Sequence, residues 1–301
     1  MLGLGSRGSR LYTVAEDQET SHIDSPCESV TAGKNDAEKL KDVLKKQLET
    51  NPPDLLHFRG HGHADIDVLG MKTSEFNTAL TESTKATGKK FPVILLESCL
   101  MGNVNALQGL SDAAHFALVS EEVLNVTALP LERILGETKP DMSPRERALQ
   151  IVEQVKGADK LDTLVAVDLS QLKQVGKATE KLKAGLRSEI ENGKGKEVRD
   201  TLRACEPFPR KWNTGYQKSL RGKLGLRDVG DVGNAIEKSD LSESTKEAAE
   251  MVKGSADRAI IGKALGKGYE SGLGLSLRTD DLLPNPASLS GLWYTVKDKL
   301  S

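Results

Sequence analysis

The chain has 301 residues, 37% of them hydrophobic and 28 of them glycine, which suits one large domain or two modest ones and excludes a wholly disordered chain. Charged residues make up 29%, yet 42 Lys and Arg against 44 Asp and Glu leave a net charge of −2, so composition gives no pull toward nucleic acid or an anionic membrane. Aromatics at 4% are too sparse for a base-stacking platform, and no run approaches the roughly 18 apolar residues of a membrane span.

The first twenty residues carry no apolar stretch of the secretory kind, and Cys27, Cys99 and Cys205 are widely spaced with no CxxC pair. The expectation is a cytoplasmic protein with free thiols, no disulfide framework and no structural zinc. Residues 1 to about 35 read as a mobile or lightly docked segment, with strand character only at Arg10–Val14. From Asp36, Leu40, Val43, Leu44 and Leu48 recur at helical spacing until Asn51-Pro52-Pro53 stops the helix. DLLHF (54–58) is a short apolar strand, and RGHGHAD after it is a glycine-broken loop.

Ser74 to Thr87 reads as a helix, and FPVILLES (91–98) as a strand covered on both faces. CLMGNVNALQGL then begins a helix, HFALVS (115–120) is another buried strand, and Pro130–Leu135 is a short helix. Ser143-Pro144 starts a helix over Arg145–Val155, TLVAVDLS (163–170) is a further strand, and Gln171–Asn192 is a long amphipathic helix. This alternation predicts an α/β fold with a mostly parallel sheet flanked by helices, its core spanning 36–192. NGKGK (192–196) reads as a flexible joint, with a boundary near 193. A mainly helical region, 193–301, follows and returns one strand near 272–277.

Two places combine reactive side chains with strand ends. His57, His61 and His63 are three of the five histidines, and Cys99 directly follows the most apolar strand. Ligands bind beyond the carboxyl ends of parallel strands, so both point to one rim. A lone cysteine is usually a small buried hydrophobe. Against that, Cys99 stands where a helix is expected to begin, and helix amides favour an anion. His57 alternates with Leu56 and Phe58 and reads as a packed strand residue. A metal-hydrolase alternative uses His61, His63 and Asp65, but Ile66 replaces the next ligand of that signature and only His115 lies downstream.

LLHFRGHG (55–62) followed by VILLESC (93–99) resembles the paired His-Gly and Cys blocks of clan CD cysteine peptidases, which include the caspases. ESCLMGNVNAL (97–107), ALVSEE (117–122), TLVAVDLSQLKQV (163–175), RDVGDVGNAI (227–236) and ESGLGLSL (270–277) are similar, in order, to blocks of the clostripain family. Two departures stand out: the family's first strand could only be RLYTV here, and VLNVTALP replaces an expected Gly-Trp-like segment after Ser-Glu-Glu.

The resemblance implies a caspase-like fold and a cysteine endopeptidase cleaving after Arg or Lys through an acyl-enzyme. Cys99 would be the nucleophile and His61 the proton carrier, with the amides of Gly62 and Cys99 as the oxyanion hole. Glu97, two residues before the nucleophile, would meet a basic P1 side chain, with Glu121 and Glu122 as further substrate contacts or as calcium ligands. No cofactor is needed for the chemistry. Partners would be protein or peptide substrates and an upstream activating protease, with no nucleic acid or membrane. A zymogen opened by cleavage at Met71–Thr73, Gly88–Lys90 or Arg210–Arg227 is expected. The alternatives are an inactive caspase-like interaction module, a thiol-dependent acyltransferase, and the metal hydrolase.

Overall fold

The computed structural model describes residues 2–5, 8–12, 27–30, 36–124, 129–139, 141–158, 161–210, 224–266, 269 and 272–283. Eight strands form one sheet: β1 (Leu2–Gly5), β2 (Gly8–Tyr12), β3 (Cys27–Val30), β4 (Leu56–Arg59), β7 (Phe91–Glu97), β8 (Ala114–Val119), β9 (Thr163–Asp168) and β11 (Ile260–Leu265). Two small ribbons pair β5 (Asp67–Val68) with β6 (Met71–Lys72) and β10 (Leu226–Asp228) with β12 (Ser276–Arg278). The sheet order is β11-β9-β8-β7-β4-β1-β2-β3.

The centre of the sheet explains its most apolar strand. Val93, Ile94, Leu95 and Leu96 of β7 are all 0% exposed because each face has its own core. Ile94 and Leu96 meet helices α1 (Asp36–Thr50), α2 (Thr73–Thr87), α3 (Val104–Gln108), α6 (Leu172–Glu189), α8 (Val229–Glu237) and α9 (Glu243–Ala259). Val93 and Leu95 meet α4 (Leu131–Glu137) and α5 (Pro144–Val155) on the other face. Ser143 starts α5 as the sequence suggests: its side chain takes the Glu146 amide, Glu146 reaches back to the Ser143 amide, and Pro144 stands in the first turn.

Strands β4, β7 and β8 run parallel, as read from the sequence, and β1, not expected as a strand, joins β4 in the same sense. Antiparallel pairs β8–β9 and β9–β11 complete one side and β1–β2 and β2–β3 the other, so the sheet is mixed. A strand with both faces covered is apolar throughout in either direction, which is why composition cannot report its sense.

Three expectations change. The described residues of the N-terminal segment are not loosely docked, because β1–β3 extend the sheet beside β4. Residue 193 is not a packing boundary either: Ile190–Lys194 is a π-helical kink, with Gly193 at φ 88°, that carries α6 on into α7 (Gly195–Ala204). Beyond it, α9 lies along α6 and β11 joins the main sheet, so residues after 193 share one core with those before. The strand read at 272–277 is Ser276–Arg278 and pairs with β10 outside that sheet. Among the described residues, no helix is long and apolar enough to cross a membrane.

Candidate active site

Strands β4 and β7 are neighbours, parallel, and in register with Arg59 opposite Glu97. His61 and Cys99 therefore stand at equivalent places, each two residues past the last paired position. The Gly60 amide bonds the Glu97 carbonyl at 3.2 Å and carries the pairing one step further. At position 62 a Cβ would lie 2.9 Å from the Cys99 carbonyl oxygen and 3.1 Å from Ser98 Cβ, so only glycine lets the two tips touch. Glycine at position 62 thus serves the close approach of its loop to the nucleophile's own turn.

The ribbon β5–β6 braces the histidine side. The Leu69 amide bonds the His61 carbonyl and the His63 amide bonds the Asp67 carbonyl, both at 2.8 Å. The Gly62 amide between them has no acceptor among the described residues, and His61 presents an exposed ring. His63 Nδ1 is 2.9 Å from Asp67 Oδ1, and Asp65 is ion-paired to Arg278. Two of the three residues of the metal reading, His63 and Asp65, are therefore bound to separate protein partners. Among the described residues no group of three or more His, Cys, Asp and Glu side chains is placed to hold a metal ion.

Cys99 lies in a turn, not at the start of a helix. The helix begins only at Val104, capped by Asn103 Oδ1, which accepts from the amides of Asn105 at 3.0 Å and Ala106 at 3.2 Å. The turn is strained, with Leu100 at φ 63°. Ala64 and Leu69, both at φ 57°, are the other non-glycine residues in that region among those described, so all three lie in the two loops carrying His61 and Cys99. The thiol is half-buried, with Sγ 3.8 Å from the Leu124 carbonyl oxygen. Burial pushes its pKa above the ordinary thiol value and the nearby Glu122 charge adds to the rise, so the resting sulfur is protonated. Behind it stands an apolar wall of Ala64, Leu100, Phe208, Leu226 and Tyr269.

None of the three acids expected at the substrate faces it. Glu97 is 3% exposed, with Oε2 2.9 Å from His57 Nε2 and Oε1 3.6 Å from Arg59 Nε. His57 is buried beside it, as a packed strand residue should be. Glu122 is 0% exposed and accepts from the Val123 amide at 2.9 Å, the Arg210 amide at 2.7 Å and the Tyr269 hydroxyl at 3.0 Å. Glu121, 1% exposed, is pushed well above the carboxylate range by burial and by Asp228, with which it shares a hydrogen bond. Both carboxylates are thus turned into the protein: Glu122 accepts from three donors, and Glu121 lies beside Asp228.

The backbone of this segment holds the nucleophile's turn. The Leu100 amide bonds the Glu122 carbonyl at 3.1 Å and the Gly102 amide the Ser120 carbonyl at 2.7 Å. Asp228, which sequence reasoning placed only at a helix start, accepts from the amides of Gly230 at 2.7 Å, Asp231 at 3.1 Å, Leu273 at 2.9 Å and Gly274 at 3.0 Å. It caps α8 and grips the 272–277 segment in one step. The Arg210 guanidinium, 4.8 Å from the ring centres of both Phe208 and Tyr269 and 3.2 Å from Asp231, was also missed. Apart from Phe208, two residues away, its partners Asp231 and Tyr269 come from separate parts of the chain, and no local pattern joins them.

A comparison with curated proteins finds no match. Among solved structures, the chain is similar to an inactive zymogen C11 protease from Parabacteroides distasonis. The two share 16% identity and a TM-score of 0.61, over 96% of this chain and 82% of that one. It is also similar to a secreted C11 cysteine protease from Bacteroides thetaiotaomicron, at 12% identity and a TM-score of 0.63 over 91% and 80%. The same kind of protein in complex with an irreversible peptide inhibitor matches at 15% identity and a TM-score of 0.58 over 92% and 81%. These likenesses establish the caspase-like fold. The family model of the clostripain family matches residues 9–285, which take in both strand tips and every block that braces them, and on that span the chain belongs to the clostripain family of cysteine peptidases.

Proposed function

We propose that the chain hydrolyses internal peptide bonds with Cys99 as nucleophile and His61 as the base and acid that serves it. The observation that carries this reading is the contact of Gly62 with the Cys99 carbonyl at the tips of two adjacent parallel strands. A thiol held protonated by burial must lose its proton as it attacks, and the exposed imidazole of His61 is the acceptor on the neighbouring tip. The sulfur–carbon bond forms and the carbonyl oxygen becomes an oxyanion, met by the amides of Gly62 and Cys99. Collapse breaks the carbon–nitrogen bond while His61 returns the proton to the leaving amine. Water, deprotonated by the same ring, then attacks the thioester, frees the acid and restores the thiol.

A preference for Arg or Lys at P1 needs a carboxylate open to the substrate, and we assign that role to none of Glu97, Glu121 and Glu122. Zymogen activation by cleavage remains part of the proposal. Of the basic segments, Lys72 lies in β6, and Lys89 and Lys90 bond the carbonyls of Leu48 at 3.3 Å and Ser111 at 2.9 Å. Within Arg210–Arg227, residues 211–223 lie outside the described residues. Fluorogenic peptides with Arg, Lys, Asp or Leu at P1, offered to wild type, Cys99→Ala and His61→Ala, test the reading. Both variants should lose turnover, and equal turnover by Cys99→Ala would end the nucleophile assignment.

A further inference from the structure

We propose that Glu97 and His57 form a positioning pair that sets the spacing of the two tips carrying His61 and Cys99, and that Glu97 takes no part in recognising a P1 side chain. The inference rests on the peptidase reading above. Side chains alternate along β4, so His57 and Arg59 share a face while Phe58 belongs to the opposite core. In the register of the two strands His57 lies opposite Leu95 and Arg59 opposite Glu97. The 2.9 Å bond from His57 Nε2 to Glu97 Oε2 therefore runs diagonally back down the sheet. It turns the carboxylate away from the tip at which a P1 residue would arrive.

The same bond ties together the only two strands that carry the dyad. His57 precedes His61 by four residues, and Glu97 precedes Cys99 by two, with only Ser98 between them. Side-chain exposures of 4% and 1% exclude water from the pair, and the Arg59 guanidinium adds an ion pair to the second carboxylate oxygen at 3.6 Å, beyond hydrogen-bond distance. The backbone bond from the Gly60 amide to the Glu97 carbonyl adds a second tie one residue on. A lateral error at this level reaches both reacting groups together, and reacting groups tolerate little displacement.

Two variants separate positioning from recognition. Glu97→Gln keeps an acceptor oxygen for His57 and removes the charge. Its amide must turn an NH2 toward either His57 or Arg59, so kcat/KM should fall, and by the same factor for Arg, Lys and Leu substrates, because no substrate contact is lost. A selective loss for Arg and Lys would make Glu97 the P1 group and overturn the proposal. His57→Phe keeps the volume and removes the bond. Its kcat should fall at least about tenfold with KM within about twofold and the Arg-to-Leu ratio unchanged, as an effect confined to the reacting geometry requires. Wild-type kcat in folded His57→Phe protein would overturn the proposal.

Alkylation of Cys99 by iodoacetamide, followed on its own peptide, needs no substrate and should slow in His57→Phe and in Glu97→Gln. If wild type shows no turnover that depends on Cys99, the peptidase reading fails. The alkylation rates still decide whether the pair positions the thiol, since equal rates in all three proteins would refute it.

Discussion

Gly62→Ala tests how the two tips are held together. The added methyl would sit 2.9 Å from the Cys99 carbonyl oxygen, 3.1 Å from the Met101 sulfur and 3.1 Å from Ser98 Cβ. Comfortable carbon contacts lie at about 3.5–4.0 Å, so all three are too close. Two of the obstacles are a backbone atom and a first side-chain carbon, and Met101 is itself 0% exposed, so none yields freely. Residue 62 is not among those with positive φ, which makes the effect one of volume and not of backbone conformation. Overpacking of this kind costs about 1–3 kcal/mol. If the tips slide apart to relieve it, the barrier rises by that amount, and kcat falls about fivefold to about 150-fold at 1.36 kcal/mol per factor of ten. The assay is kcat normalised by active-site titration, beside a thermal melt. We expect a drop in that range with Tm lowered by about 2 °C or more. A variant with wild-type kcat and Tm would show that the tips are not in contact.

Glu122→Gln removes a charge that raises the Cys99 thiol, so alkylation of Cys99 at pH 8 should speed up about twofold or more, and a slower rate would contradict the electrostatics. Glu121 has its folded-state pKa raised above the ordinary 4.5, so the stability it contributes is complete below that value and is lost as pH rises through the folded pKa. Glu121→Gln should accordingly gain in Tm relative to wild type between pH 5 and pH 8, and parallel pH dependences would refute the protonated acid. Asp228→Ala leaves the amides of Gly230, Asp231, Leu273 and Gly274 without their acceptor, which should lower unfolding free energy by about 3 kcal/mol or more in a urea titration. Mass spectrometry of active wild type should show a cut chain, with Cys99→Ala left intact if the cut is its own; an active preparation of uncut chain alone would remove the zymogen proposal.

What the sequence made legible follows from how local each signal is. The run in β7 announced a strand with two covered faces, and Ser143-Pro144 announced a helix start, because both patterns are complete within a few residues. Strand β11 escaped notice for the opposite reason. Its residues Ile260–Leu265 include Gly262 and Lys263 and are mostly half-buried, so no alternation marks them, and their strand character comes from pairing with β9. The glycine-rich stretch holding β1 and β2 carries no local signal for a similar reason: β1 takes its order from β4, a neighbour remote in sequence, and β2 lies between β1 and the edge strand β3.

The site divides along the same line. His61, Gly62 and Cys99 could be named from two short blocks, since each stands a fixed step beyond a strand and adjacent parallel strands bring such steps together. The acids could not be placed in that way. Glu97 projects from the end of β7 as its position requires, but the direction of its carboxylate is decided by His57 on another strand. Glu121 and Glu122 sit beside the nucleophile's turn, yet their partners Asp228, Arg210 and Tyr269 come from the last third of the chain. Asp228 in turn holds Leu273 and Gly274, and Ser276 donates its amide to the Gly102 carbonyl at 2.8 Å, which closes a ring of contacts around Cys99. Sequence blocks that looked like independent matches are thus one mechanical unit. A lone thiol in a strained turn has no reason to keep its place, and the ring that runs from Glu122 through Asp228 to Ser276 supplies one.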